Sequence, residues 1–428
     1  MNLAGLAADK APPVEAPLGL FYLMPVFLGL AGLVLVVQGE QVLASRWTPA
    51  ALAATHFIVL GALAPVMCGA LLQIAPVLLG ASYPQVRLVA CLTGAGLALG
   101  GLLVGGGFLA GSPALLAGGG MCAALGLTAF LAASYVALTT AAVSRRDILW
   151  TARLAILALA VTVVLGLLLA MSRLGWVQLP HARWTDAHVA WGLAGWVGLL
   201  LYGIGMELIP LFYITPPFAR WLRRALPAAV VCLLTLMLLR GLLPHGGGLP
   251  LAWIVIALFI TFLVYTVVAL RVEQRRQRPR RDASLWLWQA SHTSVLVAFV
   301  MGLGEGPQSV LGTLWLGAAV SFVVGSLVKI VPFLSWLDLQ QRRVAGHHQQ
   351  VRMPRLSALL PERCANAIAL TLAAAMVTLP AAGAIPPLVH VGGVMLVACA
   401  LLLAYALAHA ARLRQGVLNR FSQAPSSG

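Results

Sequence analysis

Long apolar runs separated by short polar breaks dominate the chain. Twelve such runs lie near residues 19–38, 51–80, 87–111, 113–140, 149–171, 187–214, 225–243, 250–271, 284–306, 308–336, 364–382 and 387–411. A helix that crosses the roughly 30 Å hydrocarbon core needs about 20 mostly apolar residues, and each run comes near that length. The runs are continuous, whereas barrel strands alternate. Lipid offers backbone groups no partner, so each run is predicted to be a helix. The pattern therefore predicts an all-α polytopic membrane protein. A polar N-terminal tail spans 1–18, a single twelve-helix transmembrane domain spans 19–411, and a C-terminal tail spans 412–428.

Composition sharpens this reading. Of 428 residues, 61% are hydrophobic and 9% are charged, against about 25% charged in a soluble domain. The net charge of +16 is not a nucleic-acid signature, because the arginines cluster in alternate loops. Arg87 follows span 2, Arg145 and Arg146 follow span 4, and Arg220, Arg223 and Arg224 follow span 6. The loops after spans 8, 10 and 12 are likewise arginine-rich. Short cytoplasmic loops are enriched in Lys and Arg. The even loops and both termini are therefore expected in the cytoplasm, in a bacterial-type inner (plasma) membrane. The basic tract at 271–281 is expected to set topology and to meet anionic lipid. None of the six cysteines forms a CxxC pair, so they read as small apolar residues. Residues 1–18 lack a basic n-region and a cleavage site, so no removable signal peptide is expected.

A threefold repeat runs through the apolar pattern. LGALAPVMCGALLQIAP (Leu60 to Pro76), AGWVGLLLYGIGMELIP (Ala194 to Pro210) and LGAAVSFVVGSLVKIVP (Leu316 to Pro332) align without a gap. Gly61, Gly195 and Gly317 match, as do Gly69, Gly203 and Gly325, and Pro76, Pro210 and Pro332. The segments fall in spans 2, 6 and 10, so the chain reads as three four-helix units over about 19–140, 149–271 and 284–411. Glycines let helix backbones approach closely in lipid, and a proline is tolerable near a span end.

Three residues before each proline stand Gln73, Glu207 and Lys329. Charges at membrane depth face protein or water. These three are candidates for a buried charge cluster or proton path, with an ion pair expected between Glu207 and Lys329. A secondary transporter using those two charges is one functional reading.

Histidines supply the other candidate chemistry. His56, His188 and His390 lie near the starts of spans 2, 6 and 12, all on the predicted external side. Neutral imidazole ligates haem iron and copper. His56, His188 and His390 are candidate cofactor ligands. His56 and His188, with His292 of span 9, are candidate metal ligands. Trp184, Trp191 and Trp196 accompany His188. No catalytic residue is singled out, and no phosphate-binding, zinc-protease or serine-hydrolase motif is present.

With these residues in place, the chain resembles subunit I of the haem–copper oxidase superfamily, in which spans 2, 6 and 10 are pseudo-equivalent and carry metal ligands. The segment THFIVLGALAPVMCGALLQIAPVLLG around His56 is similar to the histidine-bearing early span of the NnrS family of haem and copper membrane proteins. The resemblance implies haem b, with copper as a further cofactor, and a membrane oxidoreductase or nitric-oxide-related role. It implies His56 as an axial ligand and a redox partner or respiratory subunit as protein partner. A non-catalytic assembly partner of a respiratory complex shares the same fold. Span 7 here lacks the family's histidine pair, and span 10 has no histidine, so a complete terminal oxidase is not expected.

Overall fold

A computed structural model describes residues 11–141, 145–243, 250–304, 307–346, 348 and 350–423. Among them the fold is all helical, and no strand forms. Eleven helices are long and apolar enough to cross a membrane: α1 (Glu15–Gln38), α2 (Pro49–Leu79), α3 (Val86–Ala110), α4 (Pro113–Thr139), α5 (Arg146–Arg173), α6 (His181–Tyr213), α7 (Arg220–Leu242), α8 (Leu251–Gln274), α10 (Gln308–Ala345), α11 (Glu362–Ala381) and α12 (Leu388–Gln423). Helix α9 (Ala283–Leu303) has 21 residues, about 31 Å at 1.5 Å per residue. It lacks an unbroken apolar stretch as strong as those of the other eleven, because Trp286, Trp288, Gln289, Ser291, His292 and Ser294 dilute it.

The helices form a closed ring around three inner members. α4 packs on α5, α8 on α9, and α12 on α1, which closes the ring. Inside, α10 touches both α2 and α6. Burial reflects this: 72% of the apolar window is buried in α2 and α10 and 56% in α6, against 28% in α5, α7 and α11.

The repeat glycines set the inner packing. A Cβ on Gly69 would meet Phe21 of α1, one on Gly203 would meet Thr151 of α5, and one on Gly325 would meet Leu287 and Trp288 of α9. Each of these inner helices thus leans on the helix before it through a matched glycine, as expected where apolar surface gives no drive to associate in lipid. The same level recurs at Gly61 against Phe27 and at Gly195 against Ala158. These contacts support the three-unit grouping.

The three repeats are not identical. α2 and α6 each contain a π-helical stretch, Phe57–Leu63 and Ala190–Gly198. The repeat offset, 195 − 61 = 134, carries 57–63 onto 191–197, inside the second stretch. π segments interrupt regular helices frequently at functional sites. α10 has no such stretch. Pro76 and Pro210 lie in the last turn of their helices. Pro332 does not lie near a helix end as expected, because α10 continues to Ala345. α12 likewise passes residue 411 and ends at Gln423, with Val417 and Phe421 packed on Leu339 and Val351. The Glu305–Gly306 turn, His245 and His347 lie outside the described residues.

The glycine contacts make a differential prediction. A Cβ on Gly61 would lie 2.1–2.7 Å from Phe27 ring atoms, and Phe27 is 1% exposed. Gly61→Ala is expected to destabilise by about 1–3 kcal/mol, as overpacking does, and Phe27→Leu should relieve it. At Gly317 the nearest atom is 3.6 Å away on the flexible Met376, so Gly317→Ala should be nearly neutral. Thermal unfolding in detergent measures both; equal losses would contradict this packing.

Candidate cofactor site

His56 and His188 are each the eighth residue of their helices, α2 and α6. Each immediately precedes or closely precedes the matched π stretch. The helix starts are tied together, because Arg46, ahead of α2, pairs at 2.6 Å with Asp186 of α6. This contact fixes the level of one histidine relative to the other.

The hydrogen bonds define the tautomers. His56 donates from Nδ1 to the Leu52 carbonyl at 2.7 Å, and His188 donates from Nδ1 to the Thr162 carbonyl of α5 at 3.1 Å. A carbonyl only accepts, so Nδ1 carries the proton and Nε2 keeps its lone pair. An imidazole anchored at one nitrogen by a backbone carbonyl is the usual state of a metal-ligating histidine. The two rings are close enough for a charge on one to act on the other.

The surroundings are aromatic, with one cation. The His56 ring lies 5.1 Å from Phe108 of α3, and the Arg173 guanidinium lies 5.5 Å from that same Phe108 ring. Gly166 of α5 gives His188 room, since a Cβ there would come within 3.0 Å of Cε1. Trp191 and Trp196 are 3% exposed, and their indole N–H groups have no hydrogen-bond partner among the described residues. Trp184 is partly buried.

The other candidates lie elsewhere. His390 is exposed, donates from Nδ1 to the Val36 carbonyl at 2.9 Å, and lies over Gly39. That glycine has φ +54°, a left-handed conformation glycine adopts readily. His390 therefore fastens α12 to the end of α1. His292 is 2% exposed, and its neighbours are Glu273, Tyr265 and Phe322. Among the described residues no group of three His, Cys, Asp or Glu side chains could hold a metal ion.

The expected ion pair between Glu207 and Lys329 does not form. Glu207 pairs with Arg145 at 2.9 Å and with Arg223, and Arg223 also reaches Asp147 at 3.3 Å. Lys329 pairs with Asp282, which also accepts from the Tyr213 hydroxyl at 2.5 Å. Gln73 is 9% exposed, and its Oε1 has no partner among the described residues. Burial pushes the Asp282 carboxyl up, but the Lys329 ammonium and the Tyr213 hydroxyl outweigh it and hold it below its ordinary value. Its folded-state pKa being depressed, Asp282 contributes stability above the unfolded carboxylate pKa. That contribution is lost as pH falls through the lowered value.

No family model matches this chain, and none of the curated proteins compared is significantly similar to it.

Proposed function

We propose that the chain is a haem-binding integral membrane protein of the haem–copper oxidase-like class, redox or nitric-oxide related, with His56 and His188 as the axial ligands of haem b. One observation carries the reading. Two imidazoles stand at one level on two repeat-related inner helices, each with Nδ1 bound to a backbone carbonyl and Nε2 left to ligate. Two donors match the two axial positions of haem iron. A copper site generally takes three or more ligands, so copper is the weaker fit here. Bound haem would supply one-electron exchange at its iron. The chain's own residues orient the imidazoles through the Leu52 and Thr162 carbonyls, and Phe108 and the Arg173 cation would lie beside a group held there.

The protein has twelve spans in three four-helix units, with both termini cytoplasmic, in a bacterial inner membrane. The arginine-rich loops support that orientation, and lipid covers the exposed apolar faces. The charges a transporter would use are each neutralised by local partners. A redox partner or respiratory subunit would exchange electrons with the haem. The test is an optical spectrum with metal analysis on detergent-purified protein. A Soret band with low-spin features is expected, and stoichiometric copper without haem would overturn the assignment.

A further inference from the structure

A second polar cluster lies inside the helix ring, apart from the histidine pair. Glu273, in the last turn of α8, is 0% exposed, and neither carboxylate oxygen has a hydrogen-bond partner among the described residues. His292 of α9 faces it with Nε2 3.3 Å from Oε1, and that nitrogen is also without a hydrogen bond. Tyr265 of α8 stands edge-on to His292 at 5.9 Å and stacks on Tyr202 of α6 at 3.9 Å. Both phenol hydroxyls are buried without a hydrogen-bond partner among the described residues. His292, Ser291, Tyr202, Tyr265 and Thr266 line a cavity of about 50 Å³ between α6, α8, α9 and α10. α10 contributes only Trp315, Ala318, Ala319 and Phe322 to it.

Packing does not explain this cluster. A lone carboxylate or imidazolium at such a place is strongly disfavoured, and apolar residues of the same volume would fill the space without that penalty. A shared proton removes the net charge. The cavity is roomy enough for water, and its polar lining supplies partners for it. The arginine-rich end lies close by. Glu273 is near enough to Tyr213 for its charge to act there, and Tyr213 donates to Asp282. Asp282 and Lys329, with Arg278 and Arg280, line a larger cavity of about 330 Å³ at that end. On the connecting loop, the Arg276 guanidinium donates to the Glu273 backbone carbonyl at 3.3 Å.

We propose that Glu273 and His292 form a proton-binding site within the membrane, loaded from the arginine-rich end past Asp282 and Tyr213 and discharging into the cavity beside Tyr202 and Tyr265. In the loaded state one proton lies between the carboxyl and Nε2, and the pair is neutral. Discharge passes that proton to water in the cavity and leaves the pair with one negative charge. Reloading takes one proton from water in the larger cavity. No electron moves, so the site does not rest on the haem reading.

Infrared difference spectroscopy of the protein in lipid nanodiscs tests it. A protonated-carboxyl C=O band is expected that shifts down in D₂O, persists in Glu207→Gln and is absent in Glu273→Gln. His292→Gln should shift the band's frequency, because it replaces the Nε2 acceptor that stands 3.3 Å from the carboxyl. Asp282→Asn should slow D₂O exchange of the band severalfold without moving it. If Glu273→Gln does not accumulate, Glu273→Asp keeps the acid on a shorter arm and must shift the band. A band that is missing in the wild type, or unmoved by both Glu273 substitutions, overturns the site. Exchange unaffected by Asp282→Asn overturns the route.

Discussion

His56→Ala is expected to abolish the low-spin spectrum of the proposed haem, and His188→Ala to do the same. An axial imidazole is bonded to iron directly, so its removal eliminates six-coordinate haem whatever else holds the porphyrin. The two variants should act alike because the two histidines hold the same position in α2 and α6 and are anchored alike through Nδ1. His390→Ala is the contrasting case. Its ring lies over Gly39 and bonds Val36, so its loss should loosen α12 from α1 and leave the spectrum intact. A merely structural role for His56 is separable from ligation. His56→Gly with added imidazole should restore the low-spin bands if the ring is a ligand, and should not if it only fills space. If His56→Ala and His188→Ala retained the wild-type spectrum while His390→Ala lost it, the ligand assignment would be wrong.

The helical architecture is legible in the sequence because lipid forces apolar length and closed hydrogen bonding on every span. The region around α9 is the instructive case. It is legible from its length and flanking breaks, though Trp286, Trp288 and His292 interrupt its apolar run. The matched glycines are legible too, since only close helix approach explains them, and the structure seats Gly69, Gly203 and Gly325 against α1, α5 and α9. The π stretches were not legible, because the same residue types serve α and π geometry. The extension of α12 was hidden by its arginines, which read as a solvated tail although Val417 and Phe421 are buried.

The ion pairs show how a repeat misleads. Equivalent offsets suggested that Glu207 and Lys329 meet. Pseudo-equivalent residues, however, have equivalent surroundings, which differs from touching each other. Glu207 on α6 pairs with Arg145 and, through Arg223, with Asp147, all three beside the start of α5 or α7. Lys329 on α10 pairs with Asp282, at the start of α9. In both units the charge on the inner helix is answered at the start of the helix before it, with the signs exchanged. Glu273 was missed because it lies within the basic tract 271–281, which composition marks as solvated. Nothing local to the sequence reveals that its side chain turns inward.

Arg223→Met is expected to destabilise the protein by about 3–5 kcal/mol, the range for removing one member of a buried ion pair. Arg223 is 8% exposed, and every branch of its guanidinium is used. Nε donates to the Phe218 carbonyl at 3.3 Å, Nη2 to the Met206 carbonyl at 3.3 Å, and Nη1 to Glu207 and Asp147. Its removal leaves Glu207, with 17% of its side chain exposed, to Arg145 alone, and leaves the Met206 carbonyl of α6 and the Phe218 carbonyl of the α6–α7 loop without their donor. Lysine should not rescue the loss, because a single ammonium cannot reach carbonyls and carboxylates on several sides at once. The double variant Arg223→Met/Glu207→Gln should recover part of the stability, since the larger share of the penalty is the stranded carboxylate. Thermal unfolding of the two single variants and the double variant in one detergent yields the coupling. Additive losses would show that Glu207 is neutralised elsewhere. A double variant more stable than Arg223→Met alone would place the pair at the centre of the α5–α6–α7 junction, where the arginine-rich end is held together by charge because α7 buries little apolar surface of its own.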